Sequence, residues 1–311
     1  MTHHLLDLKS LNQDTMTTLF KRATYFLTNY INKNAMTDSC RGKVIANLFF
    51  ESSTRTRNSF NIAAHRLGAT IISPEMQSTA LSKGESLLDT IHTFEAMGTS
   101  LFVIRHPENH TPAWVAERLH TQAVVINAGD GTNQHPTQGL IDLFTIQQYK
   151  TNWKSLSVAI IGDVLHSRVT HSLVDGLTLM QVPDIRLVAP PYLSPEISTN
   201  PHIKIIHSFQ EGIKDVDVVV SLRLQKERMS EKNRAETKTF HDIFGLTTEK
   251  LKLAKPDAIV MHPGPMNRHI EIAPEVADGP QSVILKQVRN GVAMRMAIMD
   301  SLLPNFEQEK P

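Results

Sequence analysis

Phe49-Phe50-Glu51-Ser52-Ser53-Thr54-Arg55-Thr56-Arg57-Asn58-Ser59-Phe60 is the stretch on which the reading of this chain turns. Upstream, Lys43 to Phe50 is mostly apolar, through Val44, Ile45, Ala46, Leu48, Phe49 and Phe50, and reads as a buried strand. Downstream, Phe60, Ala64 and Leu67 recur at helical spacing, and Gly68 follows as a stop. The hydroxyls and guanidinium groups therefore fall where a strand turns into a helix, beside unpaired backbone N–H groups and the positive end of the helix dipole. A cation at that end is unfavourable by about 0.3–1 kcal/mol. Arg55 and Arg57 thus stand against the dipole unless an anion completes them. Ser53, Thr54 and Thr56 offer hydroxyl donors, and Arg55 offers a fork that suits phosphate oxygens. The plain alternative is a capped helix with a solvated basic first turn; two arginines in that turn favour a phosphate site.

A chain of 311 residues, 41% apolar and 20% charged, suits two globular domains of ordinary size. No run approaches the ~18 apolar residues of a membrane span. Met1-Thr2-His3-His4 lacks the charged and apolar regions of a signal peptide. The single cysteine, Cys40, allows no internal disulfide and fits a reducing, cytoplasmic location. A net charge of +1 gives no basic field for nucleic acid. The fifteen histidines are scattered, with no two forming a convincing ligand pair at i, i+4, and no metal is expected.

Taken in order, Ser10-Leu11-Asn12-Gln13 has capping-box spacing and opens an amphipathic helix through Met16, Leu19, Phe20, Ala23, Phe26, Leu27, Tyr30 and Ile31. Apolar runs at Ala69 to Ser73, Ser100 to Arg105 and Ala123 to Asn127 join the run at Lys43 to Phe50 as strands alternating with helices, the mark of a parallel α/β domain. Ligands of such sheets bind beyond the carboxyl ends of the strands. Polar residues just past each run are therefore the candidates. Ser82-Lys83-Gly84-Glu85 reads as a second capping box, opening a helix through Leu87, Leu88, Ile91 and Phe94 that ends near Gly98. Lys83 sits against that dipole, although a lone loop lysine is commonly solvated surface. Arg105 ends a strand, as a ligand or as a salt-bridge partner. The turn from Asn127 to Gln138 leads through His135 to Pro136 at the first helical position, with His135 and Gln138 one turn apart.

Thr151 to Ser155 is a polar break, after which the pattern restarts. The strand Ser157 to Ile161 ends in Gly162-Asp163, and Ser167 can cap a helix carrying Val169, Leu173, Val174 and Leu177. The further glycines of a dinucleotide turn are missing. Arg168 is the third place, after the Arg55/Arg57 pair and Lys83, where a basic residue opens a helix. Ile185 to Ala189, Asp217 to Leu222 and Asp257 to Met261 read as further strands. The second of these leads into Arg223-Leu224-Gln225-Lys226-Glu227-Arg228, either a solvated face or a binding edge, and Lys226 to His241 reads as a flexible loop. The third leads into His262-Pro263-Gly264-Pro265, a stiff turn with one free N–H at Gly264. Gln281 to Leu303 is an amphipathic helix with a methionine-rich core face. The fold class expected is α/β, two doubly wound parallel-sheet domains with the active site in the cleft between them. The first spans residues 1–150, completed by a helix at 286–311, and the second spans 151–285.

Ser53-Thr54-Arg55-Thr56-Arg57 after a strand resembles the carbamoyl-phosphate loop of the transcarbamoylases, and the resemblance runs over nearly the whole chain. His135 with Gln138, Arg223-x-Gln225 and His262-Pro263-Gly264-Pro265 point, within that family, to L-aspartate as acceptor. Ornithine-specific members usually carry a cysteine at the last turn. The family often has proline where Ser52 stands and usually continues Asn-Arg-Gly where this chain has Asn267-Arg268-His269. The resemblance implies transfer of a carbamoyl group from carbamoyl phosphate to the α-amino group of L-aspartate, a step of pyrimidine synthesis, with no cofactor and no metal. Ser53, Thr54 and Arg55 would hold the phosphate, and Arg55, Thr56, Arg105 and His135 the developing oxyanion. Gln138, Gly264 and Pro265 would receive the carbamoyl amino group. Arg168, Arg223 and Gln225 would hold aspartate, with Lys83 reaching in from a neighbouring subunit of a homotrimer. A regulatory or dihydroorotase-like partner subunit remains compatible with the pattern. The competing readings are a transferase for ornithine or an acylated ornithine, a nucleotide-binding Rossmann protein, and a non-catalytic assembly subunit.

Overall fold

The computed structural model describes residues 4–76, 84–198, 200–225, 228–229, 231 and 239–303. The chain divides into two compact units, Met1–Ile141 with Arg289–Pro311, and Asp142–Val288.

The first unit is built on a parallel sheet of four strands, β1 (Val44–Phe49), β2 (Thr70–Ile72), β3 (Thr99–His106) and β4 (Val124–Asp130), in the order β2-β1-β3-β4. Its strands are continuous apolar runs because crossover helices cover both faces of a parallel sheet. Ala46 and Leu48 of β1, Phe102 and Ile104 of β3, and Val125 of β4 share one buried cluster with Met76, Ile91, Val115 and Ala123. The helices are α1 (Gln13–Phe26), α2 (Thr54–Arg66), α3 (Leu87–Ala96), α4 (Thr111–Ala116) and α5 (Pro136–Tyr149). Met16, Leu19, Phe20, Ala23 and Phe26 form the buried stripe of α1, which runs on as a π-helical turn over Leu27–Ile31.

Two helix starts lie elsewhere than the capping-box reading put them. Asn12, not Ser10, caps α1, its Oδ1 accepting from the Thr15 N–H at 2.8 Å. Ser86, not Ser82, opens α3. Its Oγ accepts from the Asp89 N–H at 3.1 Å and donates to Asp89 Oδ2 at 2.6 Å. Ser82 and Lys83 lie outside the described residues. At the far end of α3, Glu95 is buried, and its carboxylate accepts the backbone N–H of His120 and both the N–H and Oγ1–H of Thr121.

The second unit holds five parallel strands, β5 (Ser157–Ile161), β6 (Asp184–Val188), β7 (Ile203–Ile206), β8 (Val218–Ser221) and β9 (Ile259–Met261), in the order β7-β6-β5-β8-β9. β7 was absent from the strands expected. It is a four-residue edge strand, part-buried except at exposed Lys204 and too short for a periodic signal. Helix α6 (Arg168–Leu179) follows β5, capped by Ser167 Oγ accepting from the Thr170 N–H. Most of the Lys226 to His241 stretch, expected as a loop, lies outside the described residues, and Phe240–Phe244 is helical. The C-terminal helix is Ile284–Leu302.

Burial alone would raise the Glu95 carboxyl, but the hydrogen bonds from Thr121 and His120 hold it below its ordinary value. A depressed carboxylate stabilises the fold above its unfolded pKa, and that stability is lost as pH falls through the folded value. Denaturant titrations of the wild type and Glu95→Gln at pH 7 and near pH 3 should show a gap that narrows on acidification.

Candidate active site

Both sheets reverse their strand order next to their first strand: between β1 and β3 in the first unit, and between β5 and β8 in the second. Loops leaving two such strands part to opposite faces, and the crevice beyond their carboxyl ends is where ligands of open α/β sheets bind. Ser53 to Thr56 and Arg105 follow the first reversal and Arg168, Arg223 and Gln225 the second, while His135, Gln138, Gly264 and Pro265 follow the neighbouring edge strands β4 and β9.

In the first unit, β1 leads into Glu51-Ser52-Ser53 and α2 starts at Thr54. Ser53 occupies the N-cap position, yet its hydroxyl makes no capping hydrogen bond, and the first turn contains no acidic residue. The N–H groups at this end therefore have no capping side-chain oxygen from Ser53 and no acidic side chain in the first turn, a helix start suited to an anion. Arg55 is exposed and makes no hydrogen bond or ion pair with the described residues. Thr56 is buried beside it. Arg57 departs from the expectation: its Nε donates to Ser73 Oγ at 2.9 Å and its Nη2 to the Ser73 carbonyl at 2.7 Å, fastening the chain after β2 to α2. The start of α2 is tied to β1 by buried Asn47, whose Nδ2 donates to Asn61 Oδ1 at 2.7 Å and to the Arg57 carbonyl at 3.1 Å.

Arg105 lies across the reversal, paired in register with Phe49. Its Nε is 2.7 Å from Glu51 Oε1, an ion pair that aims the guanidinium along the carboxyl edge, and its Nη1 reaches the Ala128 carbonyl at 3.4 Å. Next to it, burial pushes the His106 ring below its ordinary pKa. His106 Nδ1 accepts the Glu108 N–H at 3.1 Å.

The turn from Asn127 to His135 is organised around a carboxylate the sequence reading did not single out. Asp130, almost fully buried, accepts from Asn127 Nδ2 and the Gln134 N–H on Oδ1, and from the His110 N–H and Asn133 Nδ2 on Oδ2, at 2.7–3.0 Å. This turn delivers His135 and Gln138, both buried, to the start of α5. His135 Nδ1 lies 3.4 Å from Thr137 Oγ1.

In the second unit, the loop after β5 carries Asp163 and Arg168, and the loop after β8 carries Arg223 and Gln225. Gly162, at φ +125°, lets the two come together: a Cβ there would meet the Leu222 carbonyl at 2.6 Å. Fully buried Asp163 bridges the loops, accepting from His166 Nδ1 at 2.8 Å and from the Gln225 N–H at 3.0 Å. Arg168 is buried as the first residue of α6.

The turn after β9 is held from below. His262 Nδ1 accepts the Gly264 N–H at 2.9 Å, so the N–H expected to be free is engaged. With Nδ1 accepting, a neutral ring carries its proton on Nε2 and donates it to buried Glu271 Oε1 at 3.2 Å. The carbonyls of Gly264 and Pro265 carry the turn's remaining hydrogen-bonding capacity. At His269, where the family usually has glycine, the backbone keeps φ +66°, a conformation glycine adopts without strain and histidine tolerates better than most residues.

The first unit thus gathers Ser53, Thr54, Arg55, Thr56, Arg105, His135 and Gln138 at one sheet edge, and the second gathers Arg168, Arg223, Gln225 and the Gly264–Pro265 turn at another. The supports Glu51, Asp130, Asp163 and the His262–Glu271 pair were not foreseen. For Glu51, Asp130, Asp163 and His262 the only sequence signal is an acidic or histidine side chain at or just past the end of an apolar run, and Glu271 carries no such signal.

Residues 3–148 match the family described as aspartate/ornithine carbamoyltransferase, carbamoyl-P binding domain, and residues 154–302 match its Asp/Orn binding domain. The aspartate carbamoyltransferase catalytic subunit of Coxiella burnetii (strain Dugway 5J108-111) is 55% identical over 300 residues, covering 96% of this chain and 96% of that protein. Aspartate transcarbamoylase from Trypanosoma cruzi, solved in complex with carbamoyl phosphate and aspartate, superposes with a TM-score of 0.87 at 30% identity over 96% of each chain. The same enzyme solved with N-(phosphonacetyl)-L-aspartic acid gives 0.87 at 30% identity, over 96% of this chain and 95% of that one.

Asp130→Ala removes the acceptor of four hydrogen bonds and strands their buried donors. It should cost about 3 kcal/mol of unfolding free energy, read by urea titration.

Proposed function

On the premise that the chain belongs to the aspartate/ornithine carbamoyltransferase family, we propose how its residues divide the work of the reaction. The enzyme transfers the carbamoyl group of carbamoyl phosphate to the α-amino group of L-aspartate, giving N-carbamoyl-L-aspartate and phosphate, a step of pyrimidine synthesis. The observation that carries the assignment of roles is the start of α2: an N-cap hydroxyl not used for capping, beside an arginine with no partner among the described residues.

Residues 1–150 with 286–311 form the carbamoyl-phosphate domain of this proposal, and 151–285 the aspartate domain. Ser53, Thr54 and Arg55 hold the phosphate through hydroxyl, backbone and guanidinium donors. As the amine nitrogen attacks the carbonyl carbon, the carbonyl oxygen becomes an oxyanion, met by Arg55, Thr56, Arg105 and His135. The bond between the carbonyl carbon and the bridging phosphate oxygen then breaks, phosphate departs with that electron pair, and the amine gives up its proton to the departing phosphate or to His135. Donors fixed beforehand need no rearrangement as charge develops, and removing one typically lowers kcat ~10²–10³-fold. Glu51 holds Arg105 in place through its Nε. Gln138 and the Gly264 and Pro265 carbonyls take the carbamoyl N–H groups, which turns the carbonyl oxygen toward the cations. Arg168, Arg223 and Gln225 take the two carboxylates of aspartate. Both substrates are anions, so a dense positive site overcomes their mutual repulsion and lines them up.

Arginines at the acceptor end oppose the cationic side chain of ornithine, and turnover with aspartate but not ornithine is expected. By family resemblance the working unit is a cytoplasmic homotrimer in which Lys83 serves the site of the neighbouring chain. A regulatory or dihydroorotase-like subunit would attach to that trimer.

Arg55→Ala should keep its fold by circular dichroism while forming N-carbamoyl-aspartate at least ~10²-fold more slowly; full activity would refute the role given to Arg55. Inactive Arg55→Ala and Lys83→Ala trimers, dissociated and reassembled together, should recover part of the wild-type rate if Lys83 acts across the subunit boundary. No recovery would place it in its own chain's site.

A further inference from the structure

His92 and Glu95 lie three residues apart on α3 and therefore on one face of that helix. His120, in the turn between α4 and β4, stacks on His92 with ring centroids 3.9 Å apart and planes 19° apart. One ligand atom from each of the three side chains falls within 4.8 Å of the others. His92 Nε2 is 3.9 Å from Glu95 Oε2 and 3.1 Å from the Arg118 carbonyl oxygen.

We propose that His92, Glu95 and His120 form a binding site for a zinc-class divalent ion, separate from the carbamoyl-transfer machinery. Zinc bonds of ~2.0–2.1 Å in a tetrahedron set neighbouring ligand atoms about 3.3 Å apart. The separation between His92 and Glu95 exceeds that by well under 1 Å, and His92 Nε2, which donates to the Arg118 carbonyl at 3.1 Å, exchanges that hydrogen bond and its proton for the ion. His92 is part-exposed and His120 exposed, so both rings have room to swing onto a shared ion.

The carboxylate is the fixed member. Glu95 Oε1 accepts the Thr121 N–H at 2.9 Å, Thr121 Oγ1–H at 2.7 Å and the His120 N–H at 3.0 Å. Oε2 takes only the longer branch of the His120 N–H, at 3.2 Å, and faces His92. The donors on Oε1 are the outer partners that orient a ligating carboxylate, and they keep it ionised. Two imidazoles and one carboxylate, with no thiolate, select zinc and its neighbours in the transition series over magnesium or calcium, which prefer all-oxygen shells. Bound there, the ion clips α3 to the turn that precedes β4.

The test uses the full chain stripped with chelator and titrated calorimetrically with zinc chloride, with magnesium chloride in parallel. One equivalent of zinc should bind, raising the thermal midpoint, and magnesium should give no heat. His92→Ala and His120→Ala should each abolish that equivalent. Thr121→Val, which removes one outer donor, should weaken it about 10-fold or more. His202→Ala, an exposed histidine in the second unit, should bind zinc as the wild type does. Absence of zinc binding, or an equivalent that survives in the folded His92→Ala/His120→Ala double variant, overturns the proposal.

Discussion

A parallel sheet must send each connection back over one of its faces, and where successive connections take opposite faces the loops beyond the strand ends separate. Everything functional in this chain depends on that constraint being met twice. The reversal beside β1 opens room for a helix start carrying hydroxyls and Arg55, and the reversal beside β5 opens room for another carrying Arg168. Because the crevices come from topology, the side chains at them need only supply charge and donors. The backbone already provides oriented N–H groups.

The cations at these edges are held by anions placed behind them. Glu51 aims Arg105, Asp163 ties the loop before Arg168 to the loop bearing Gln225, and Glu271 steadies the histidine under the Gly264 turn. Asp130 does the same with neutral donors, through four hydrogen bonds that fix the approach to His135. Buried carboxylates are costly unless hydrogen-bonded, and buried Asp130, Asp163 and Glu271 each accept from more than one donor.

The alternation of strands and helices was legible because apolar runs of five or more residues bounded by turns leave few alternatives. β7 escaped because an edge strand of four residues around Lys204 carries no such run. The helix starts were misplaced where two candidate caps lie close together. Ser82 and Ser86 each have an acidic residue three positions on, and sequence spacing alone does not rank them. Arg55 and Arg57 illustrate the same limit at the site. They carry one charge each, but residues two apart on a helix point about 200° apart. One is left toward the open end, and the other is drawn onto the Ser73 carbonyl. The candidate site residues could be named in the sequence because resemblance and strand ends coincide. Their supports could not, since a carboxylate after a strand looks the same whether it is solvated or buried.

Gly162 gives the second reversal a particular economy of construction. Lacking a Cβ, it lets the Leu222 carbonyl close against the end of β5, so the loops bearing Arg168 and Arg223 share one narrow seam. Lengthening or shortening either loop beyond that seam alters the distance between Arg168 and Arg223 without touching the strand ends of the first sheet. Insertions after β5 or β8 therefore remodel the second reversal alone, while the helix start at α2 stays as it was.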